Sequence, residues 1–363
     1  MASTFGKSLQ VSVFGESHGS AIGAVADSFP PGEKVDLEAL HKFCARRRPG
    51  QVLTTPRSES DTPEILSGFF NGATTGTPLA VIIRNQDTRS SDYQKLADIP
   101  RPGHADMSAL WRYGQSADRR GGGHFSGRLT APLVALGGIA LQILARRNIF
   151  IGAHLLSAGE VSDEGFPAVD LSEEILSAPG KKAFPVLSDE RGEKMQEFIA
   201  ACAAQGDSCG GVVECAVTGF PAGVGSPMFD GIENCLSSAL FGIPAVKAVG
   251  FGAGFAAAAT CGSANNDSFV FSDGRIATAT NNCGGILGGI STGMPIIFSA
   301  AFKPTPSIAT RQQSIDLSSG KAATLEVEGR HDPCVAIRAV PVVEAVAALV
   351  LLDMLISERT PKL

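Results

Sequence analysis

The chain has 363 residues and a formal net charge of -6 at pH 7. Hydrophobic residues make up 44% and charged residues 18%, which supports a large buried core and excludes an intrinsically disordered chain. The acidic balance and an aromatic content of only 6% argue against a nucleic-acid partner, whose surface would need basic and stacking side chains.

The predicted elements alternate short strands with glycine-rich turns and a few helices, which indicates an α/β fold. In chain order they are a strand over 9–15, a helix over 35–48, a strand over 78–85, a helix over 130–147, a strand over 210–221, a helix near 231–241, a strand over 244–255 and an apolar helix over 340–359. The more polar stretch 154–208 is predicted to be a surface excursion.

Compartment and membrane association are predicted from the cysteines and the apolar segments. The eight cysteines include no CxxC pair, so we expect reduced thiols, no metal site and a cytoplasmic protein. The N-terminus has no apolar signal core. Residues 129–145 and 340–356 approach membrane length, but glycines in the first and two acidic residues in the second favour buried helices and no membrane partner.

Two segments of the chain are similar to each other. FNGATTGTPLAVII (70–83) aligns without gaps on LGGISTGMPIIFSA (287–300), and Thr74 aligns with Ser291. Coincidence in a glycine-rich chain is one explanation, and a duplicated α/β unit is the other. Duplication predicts two pseudo-equivalent halves, roughly 1–150 and 210–363, within one compact domain spanning 1–363.

A basic stretch, RPGHADMSALWRYGQSADRRGGGHFSGR (101–128), stands out because the chain as a whole is acidic. It holds five arginines and two histidines around a triple glycine. Arginine grips phosphate or carboxylate with two donors, glycine lets backbone N–H groups approach an anion, and histidine moves protons near neutral pH. The stretch matches neither the dinucleotide-binding nor the Walker fingerprint.

Four further segments carry similar chemistry, and each also has a purely structural explanation. FGESHG (14–19) sets Ser17 beside His18 after a strand, and RRRPG (46–50) ends a helix where arginines also favour the macrodipole. NNCGGILGGISTG (281–293) leads to FKPTPS (302–307), and GRHDPC (329–334) precedes the last helix. A surface turn, a helix cap, a glycine-packed sheet corner and a local salt-bridge cluster are the respective alternatives.

Taken together and in this order, these segments resemble the chorismate synthase family. The resemblance rests on FGESHG, RRRPG, ILSGFFNGATTGTP, RPGHAD, the RGGG stretch, GIPAVKAVGFG, GGILGGISTGMP, FKPTPSI and GRHDPCVAIRAVPVVEA, which together span nearly the whole chain. It implies an α/β (α+β) sandwich of two related halves and a homotetramer. It also implies anti-1,4-elimination of phosphate and the C6 hydrogen from 5-enolpyruvylshikimate 3-phosphate, giving chorismate with reduced FMN and no net redox change.

The resemblance also implies roles for individual residues. His18 would protonate the leaving phosphate, His104 would protonate or hydrogen-bond the flavin at N1, and Asp332, assisted by Ser17, would help relay the proton from N5. The implied substrate-binding residues are Arg47, Arg48, Arg101, Arg128 and Arg338. The implied cofactor-binding residues are Arg47, His124, Phe125, Ser126, Pro244, Ala245, Gly288, Lys303, Pro304, Thr305, Pro306, Ser307 and Arg330.

Two positions depart from the family's common pattern. Many members have an Arg-Ser-Ser-Ala-Arg run where this chain has HFSGR (124–128), so the role of His124 is open. Leu53 stands where some members carry a basic residue, which weakens any direct NADPH contact. With no Rossmann fingerprint, we expect NADPH to act only indirectly, through an external flavin reductase.

Two other classes of function use the same residues. A flavin-binding electron carrier or reductase would use the phosphate-binding segments but would not need Ser17, His18, His104 and Asp332. A non-catalytic anion-binding scaffold would use the arginines alone. Alanine replacement of both histidines separates this scaffold from the lyase, because a scaffold would lose no turnover.

Overall fold

The computed structural model describes residues 3–55, 61–85, 98–272, 274–327 and 331–357. The first part of the chain contributes ten elements: β1 Thr4–Phe5, β2 Gln10–Gly15, β3 Ala21–Asp27, α1 Leu37–Ala45, β4 Glu64–Ser67, β5 Phe69–Phe70, β6 Ala73–Thr74, β7 Leu79–Arg84, α2 Asp106–Tyr113 and α3 Thr130–Ala145. The remainder contributes β8 Phe150–Ala158, β9 Val161–Ser162, α4 Glu173–Ser177, α5 Asp189–Ala204, β10 Gly211–Thr218, α6 Ile232–Leu240, β11 Val246–Phe251, α7 Gly262–Asn265, β12 Phe269–Ser272, β13 Arg275–Thr278, β14 Ile286–Leu287, β15 Ile290–Ser291, β16 Ile296–Phe302, β17 Gln312–Asp316, β18 Lys321–Leu325 and α8 Ala336–Ser357.

Two antiparallel five-stranded sheets arrange four of their strands in the same order, whereas the fifth strand precedes its neighbour in the chain in the first sheet (β1) and follows it in the second (β9). The first runs β1-β2-β3-β7-β4 and the second, read from its other edge, runs β9-β8-β10-β16-β11. One helix of each part, α1 or α6, precedes the edge strand β4 or β11, and a long helix, α3 or α8, closes each part. This correspondence supports the proposal that the two parts arose by duplication.

The repeated segments make the same hydrogen bonds. The Thr74 hydroxyl donates to the carbonyl of Pro30 and accepts from the Glu33 amide, at 2.5 and 3.1 Å. The Ser291 hydroxyl donates to the carbonyl of Pro221 and accepts from an amide three residues further on, at 2.6 and 2.9 Å. Each segment is a short hairpin, β5–β6 or β14–β15, that leads into a core strand of its own sheet.

The two long helices form the middle layer of a sandwich. Helix α3 contacts β3 and β7, helix α8 contacts β8 and β10, and the two helices pack on each other. They approach closely because Gly137 has no side chain: a Cβ there would lie 2.3 Å from the Cβ of Ala345. Residues 127–145 and 336–357 are long and apolar enough to cross a membrane, but 78% and 89% of an 18-residue apolar window in each segment is buried within the protein.

The segment 154–208, predicted to be a surface excursion, contributes to the core near both of its ends. Strand β8 lies inside the second sheet, and helix α5 buries Met195 and Ile199 in the main core. The polar His154 interrupts the apolar pattern of this strand in the sequence. Its ring is nevertheless fully buried between two carboxylates. Its Nε2 lies 3.0 Å from Glu214, and its Nδ1 makes an ionic contact of 3.3 Å with Asp163.

Candidate functional site

A cavity of about 1230 Å³ opens between the two parts of the chain. The basic stretch 101–128 lines one side, and the segment after β16 together with the start of α8 lines another. Its volume exceeds that of an ordinary small-ligand pocket. Most of the predicted site residues line it: Arg47, Arg101, His104, His124, Phe125, Ser126, Arg128, Pro244, Ala245, Lys303, Thr305, Pro306, Ser307, Asp332 and Arg338.

Arg47 and Arg128 are held together by one buried aspartate, Asp61. The Asp61 oxygens accept hydrogen bonds from Arg47 and Arg128 at 2.8 and 2.7 Å. Arg47 also donates to Thr130 and to the carbonyl of Gly127, both at 2.8 Å. Burial acts to raise the pKa of Asp61, but the two guanidinium groups outweigh it and hold that pKa below its usual range.

Positive charge is concentrated around Arg47. Burial, followed by repulsion from Arg338, lowers the pKa of Arg47 to about 10, so it stays charged at neutral pH. Arg338 donates to the Arg47 carbonyl at 2.9 Å and to Asp332 at 2.8 Å. The other Asp332 oxygen accepts from the amide of Thr55 at 2.8 Å. A cluster of guanidinium groups of this kind suits an anionic ligand.

His104 lies in a second charged cluster, at the start of α2. Its Nδ1 is 2.7 Å from Oδ1 of Asp106, and Arg101 grips both oxygens of the same carboxylate at 2.8 Å. Arg101 also donates to Ser307 at 3.3 Å. Burial acts to raise the pKa of Asp106, but hydrogen bonds from Arg101 and His104 outweigh it and hold that pKa well below its usual range.

Ser17 and His18 pack behind the triple-glycine loop. The Ser17 hydroxyl lies 3.0 Å from Nδ1 of His18 and donates to the carbonyl of Arg120 at 3.2 Å. A Cβ on Gly121 would lie 2.1 Å from the His18 ring, so only glycine lets this cavity-lining loop pass so close. His18 therefore stands directly behind one residue of the cavity wall.

His124 joins the N-terminus to the cavity wall. Its Nδ1 donates to the carbonyl of Gly15 at 2.8 Å, so its Nε2 accepts from the Ser3 hydroxyl, also at 2.8 Å. Both ring nitrogens thus make internal hydrogen bonds. These two hydrogen bonds fix the orientation of the ring.

The segment after β16 provides donors opposite His104. Lys303 donates to the carbonyl of Gly103, and burial lowers the pKa of Lys303, with a smaller effect of the neighbouring Lys247. The Thr305 hydroxyl donates to the Asp332 carbonyl at 2.8 Å. Ala245 takes a φ of 77°, a strained value for alanine, and its carbonyl accepts from the Lys303 amide at 3.0 Å.

Some predicted site residues lie outside the cavity lining. Ser17 and His18 stand behind it, and Arg48, Gly288 and Pro304 are not among its described lining residues. The glycines near Gly288 serve the β14–β15 hairpin, where Gly284, Gly285, Gly288 and Gly289 take positive φ angles. The flavin contact predicted for Gly288 therefore gains no support within its own chain, and Arg330 lies outside the described residues.

Two carboxylates of the site were not predicted from the sequence. Asp61 and Asp106 each neutralise arginines that the resemblance had assigned to substrate. Asp106 follows His104 at a spacing of two, a signal that could have suggested the pair. Asp61 stands in a polar stretch with no local partner, and only the fold brings it to Arg128.

The cavity is lined by guanidinium groups, by a glycine-rich loop, and by His104 and His124, whose rings are held by hydrogen bonds. Fold and site together define an α+β sandwich enzyme that binds an anionic small molecule and transfers protons on it.

Comparisons with known proteins agree with this class. The family model described as chorismate synthase matches residues 9–356. Chorismate synthases from Pyrococcus abyssi and Lancefieldella parvula are 48% and 45% identical, covering 98% of this chain and 98% and 97% of theirs. A solved structure titled "Crystal Structure of Chorismate Synthase" aligns with a TM-score of 0.76 at 27% identity, over 97% of this chain and 92% of that one. The chain belongs to the chorismate synthase family.

Proposed function

We propose that this protein eliminates phosphate and the C6 hydrogen from 5-enolpyruvylshikimate 3-phosphate to give chorismate. Family membership over residues 9–356 supports the reaction. The observation that carries it to this cavity is the arginine cluster around Arg47, Arg128 and Arg338, which lines the same cavity as His104. The substrate carries two carboxylates and a phosphate, and guanidinium groups bind such anions with paired hydrogen bonds.

The cavity also fits a flavin, which the proposal requires as reduced FMN. Leu133, Val335 and Val342 form an apolar wall suited to a flat ring, and Lys303 and Thr305 are donors suited to a phosphate. When bound, reduced flavin supplies electron density to the allylic system of the substrate. The protein's own residues then bind, orient and protonate.

Proton transfer is assigned to two histidines and one carboxylate. His18 would protonate the leaving phosphate, which departs more readily as the protonated anion. His104 would protonate or hydrogen-bond the flavin at N1, and Asp106 holds the Nδ1 edge of its ring. Asp332 would accept a proton, with Arg338 and Thr55 fixing its carboxylate. In the described residues Ser17 hydrogen-bonds His18 rather than Asp332, so its proposed role is to orient the His18 ring.

We infer that the chain acts as a homotetramer in the cytoplasm, with NADPH used only by a separate reductase. The hairpin β12–β13 supports self-association, because Phe269, Phe271 and Ile276 are 69%, 79% and 72% exposed. Exposed apolar groups on this scale mark protein contacts. Analytical ultracentrifugation tests this: a monomer at micromolar concentration would contradict the inference.

The flavin requirement is the direct test of the proposed chemistry. Under anaerobic conditions, dithionite-reduced FMN should support turnover and oxidised FMN should not. Flavin binding without any product would instead favour an electron carrier. NADPH added with FMN alone should leave the flavin absorbance unchanged, and rapid bleaching would contradict the need for an external reductase.

A further inference from the structure

The geometry points to Asp106 as a positioning residue that holds His104 in the tautomer with hydrogen on Nδ1, so that Nε2 is the atom that exchanges a proton. Arg101 takes part in the same arrangement, because it orients Asp106. The position of the hydrogen on His104 can be tested without the proposed lyase function. Only the expected effect on turnover rests on that function.

The tautomer follows from the hydrogen-bond partners of Nδ1. The nearest is Oδ1 of Asp106 at 2.7 Å, and an ionised carboxylate can only accept. Arg101 lies 3.1 Å from Nδ1, but a guanidinium group can only donate. Nδ1 cannot donate to Asp106 and accept from Arg101 together, and the shorter contact goes to the carboxylate. Nδ1 therefore carries the hydrogen.

Asp106 is fixed from three directions, so it can fix the imidazole in turn. Oδ2 accepts from the Arg101 backbone amide at 3.0 Å and from Arg101 Nε at 2.8 Å, while Oδ1 accepts from a terminal nitrogen of Arg101. Asp106 is 7% exposed and Arg101 is 5% exposed, so water competes little for these bonds. A buried, bidentate pair of this kind is rigid.

The donors of Arg101 are directed toward this cluster. Nε and one terminal nitrogen bind Asp106, and the other terminal nitrogen donates to the Ser307 hydroxyl at 3.3 Å. Arg101 thereby links the His104 cluster to the segment 303–307 across the cavity.

The opposite edge of the His104 ring is positioned by the triple-glycine loop. A Cβ on Gly122 would lie 3.3 Å from both Cε1 and Nε2 of His104. Gly122 takes a φ of 123°, a backbone conformation that residues other than glycine rarely adopt. Glycine at this position thus keeps a Cβ away from Nε2, while Asp106 holds Nδ1.

The first test reads the tautomer in the whole protein without flavin or substrate. Protein labelled with ¹⁵N-histidine is studied at alkaline pH, and His104→Gln assigns the His104 signals. We expect a protonated Nδ1 and a bare Nε2. A protonated Nε2 in the wild-type protein would overturn the inference, whether or not the protein makes chorismate.

The second test replaces the carboxylate. In Asp106→Asn, Arg101 retains the amide oxygen and the amide nitrogen faces Nδ1, so His104 should convert to the Nε2–H tautomer. Turnover should then fall at least about 100-fold with KM changed less than about threefold, because proton transfer and not binding is impaired. An unchanged tautomer, or a raised KM with normal kcat, would overturn the inference.

Controls separate positioning from folding. Glu64→Gln makes the same carboxylate-to-amide change against Arg84, an exposed pair at 2.9 Å, and should leave both the His104 tautomer and kcat unchanged. If Asp106→Asn does not fold, Asp106→Glu keeps the charge and should keep the Nδ1–H tautomer. Loss of that tautomer in a folded Asp106→Glu protein would also contradict the inference.

Discussion

Asp61→Asn should destabilise the protein strongly, although it removes only one charge. The Asp61 side chain is 2% exposed, and its carboxylate bridges Arg47 and Arg128 at 2.8 and 2.7 Å. Asparagine has the same shape and tolerates the φ of 44° at this position, so the backbone should not be disturbed. The substitution therefore leaves two guanidinium groups without their shared counter-charge.

The expected magnitude follows from burial. Removing one partner of a buried ion pair costs about 3–5 kcal/mol, because the remaining charge stays desolvated and unpaired. An exposed pair such as Glu64 with Arg84 is worth about 0–1 kcal/mol. The pKa of Asp61 is lowered in the folded protein, so its contribution is fully present above about pH 4 and is lost as the pH falls through the folded-state pKa.

Urea unfolding followed by circular dichroism measures both effects. At pH 7 the free energy of unfolding of Asp61→Asn should lie about 3–5 kcal/mol below wild type, and that of Glu64→Gln within about 1 kcal/mol. Below about pH 4 the gap between Asp61→Asn and wild type should narrow. An Asp61→Asn protein as stable at pH 7 as Glu64→Gln would refute the assigned ion-pair bridge.

Three further substitutions test other parts of the structure. Burial acts to lower the pKa of His154, but Asp163 and Glu214 outweigh it and raise that pKa. The stability lost in His154→Gln should therefore be largest below about pH 6.5 and should shrink as the pH rises. Unfolding curves measured across this pH range check the prediction. Gly121→Ala should displace His18 and lower turnover at least about 100-fold in a steady-state assay, because its Cβ would lie 2.1 Å from that ring. Gly137→Ala should cost about 1–3 kcal/mol in unfolding free energy, because α3 and α8 cannot separate locally.

The control for both glycine substitutions is Gly262→Ala. Gly262 lies at the start of α7, and a Cβ there meets nothing within 4 Å. This variant should match wild type in turnover and stability. A loss of similar size in Gly262→Ala would show that the other two effects do not come from the contacts named. A His154 effect that does not vary with pH would likewise contradict the buried ionic contacts.

The helices and strands were predictable where apolar periodicity is strong. The helix predicted over 130–147 is observed at Thr130–Ala145, and the strand predicted over 78–85 at Leu79–Arg84. Strand β8 was missed because its buried histidine resembles a surface residue in the sequence. Burial is tolerated there only because Glu214 and Asp163 approach from other elements, which no local pattern records.

The residue types of the site were predictable, but their partners were not. The basic stretch and Ser17-His18 each indicate anion binding or proton transfer by composition alone. That Gly121 packs on His18, about a hundred positions away in the chain, depends on the tertiary fold. Asp61 and Asp106 were not predicted for the same reason: the role of each carboxylate depends on the guanidinium groups that the fold brings to it.

The most direct measurement is anaerobic turnover of 5-enolpyruvylshikimate 3-phosphate with reduced FMN, following chorismate absorbance and phosphate release together. Wild-type protein and Glu64→Gln should release the two products in equal amounts, whereas His18→Gln and His104→Gln should lose at least about 100-fold in rate. Phosphate release without chorismate, or full activity in both histidine variants, would contradict the proposed lyase chemistry in this cavity.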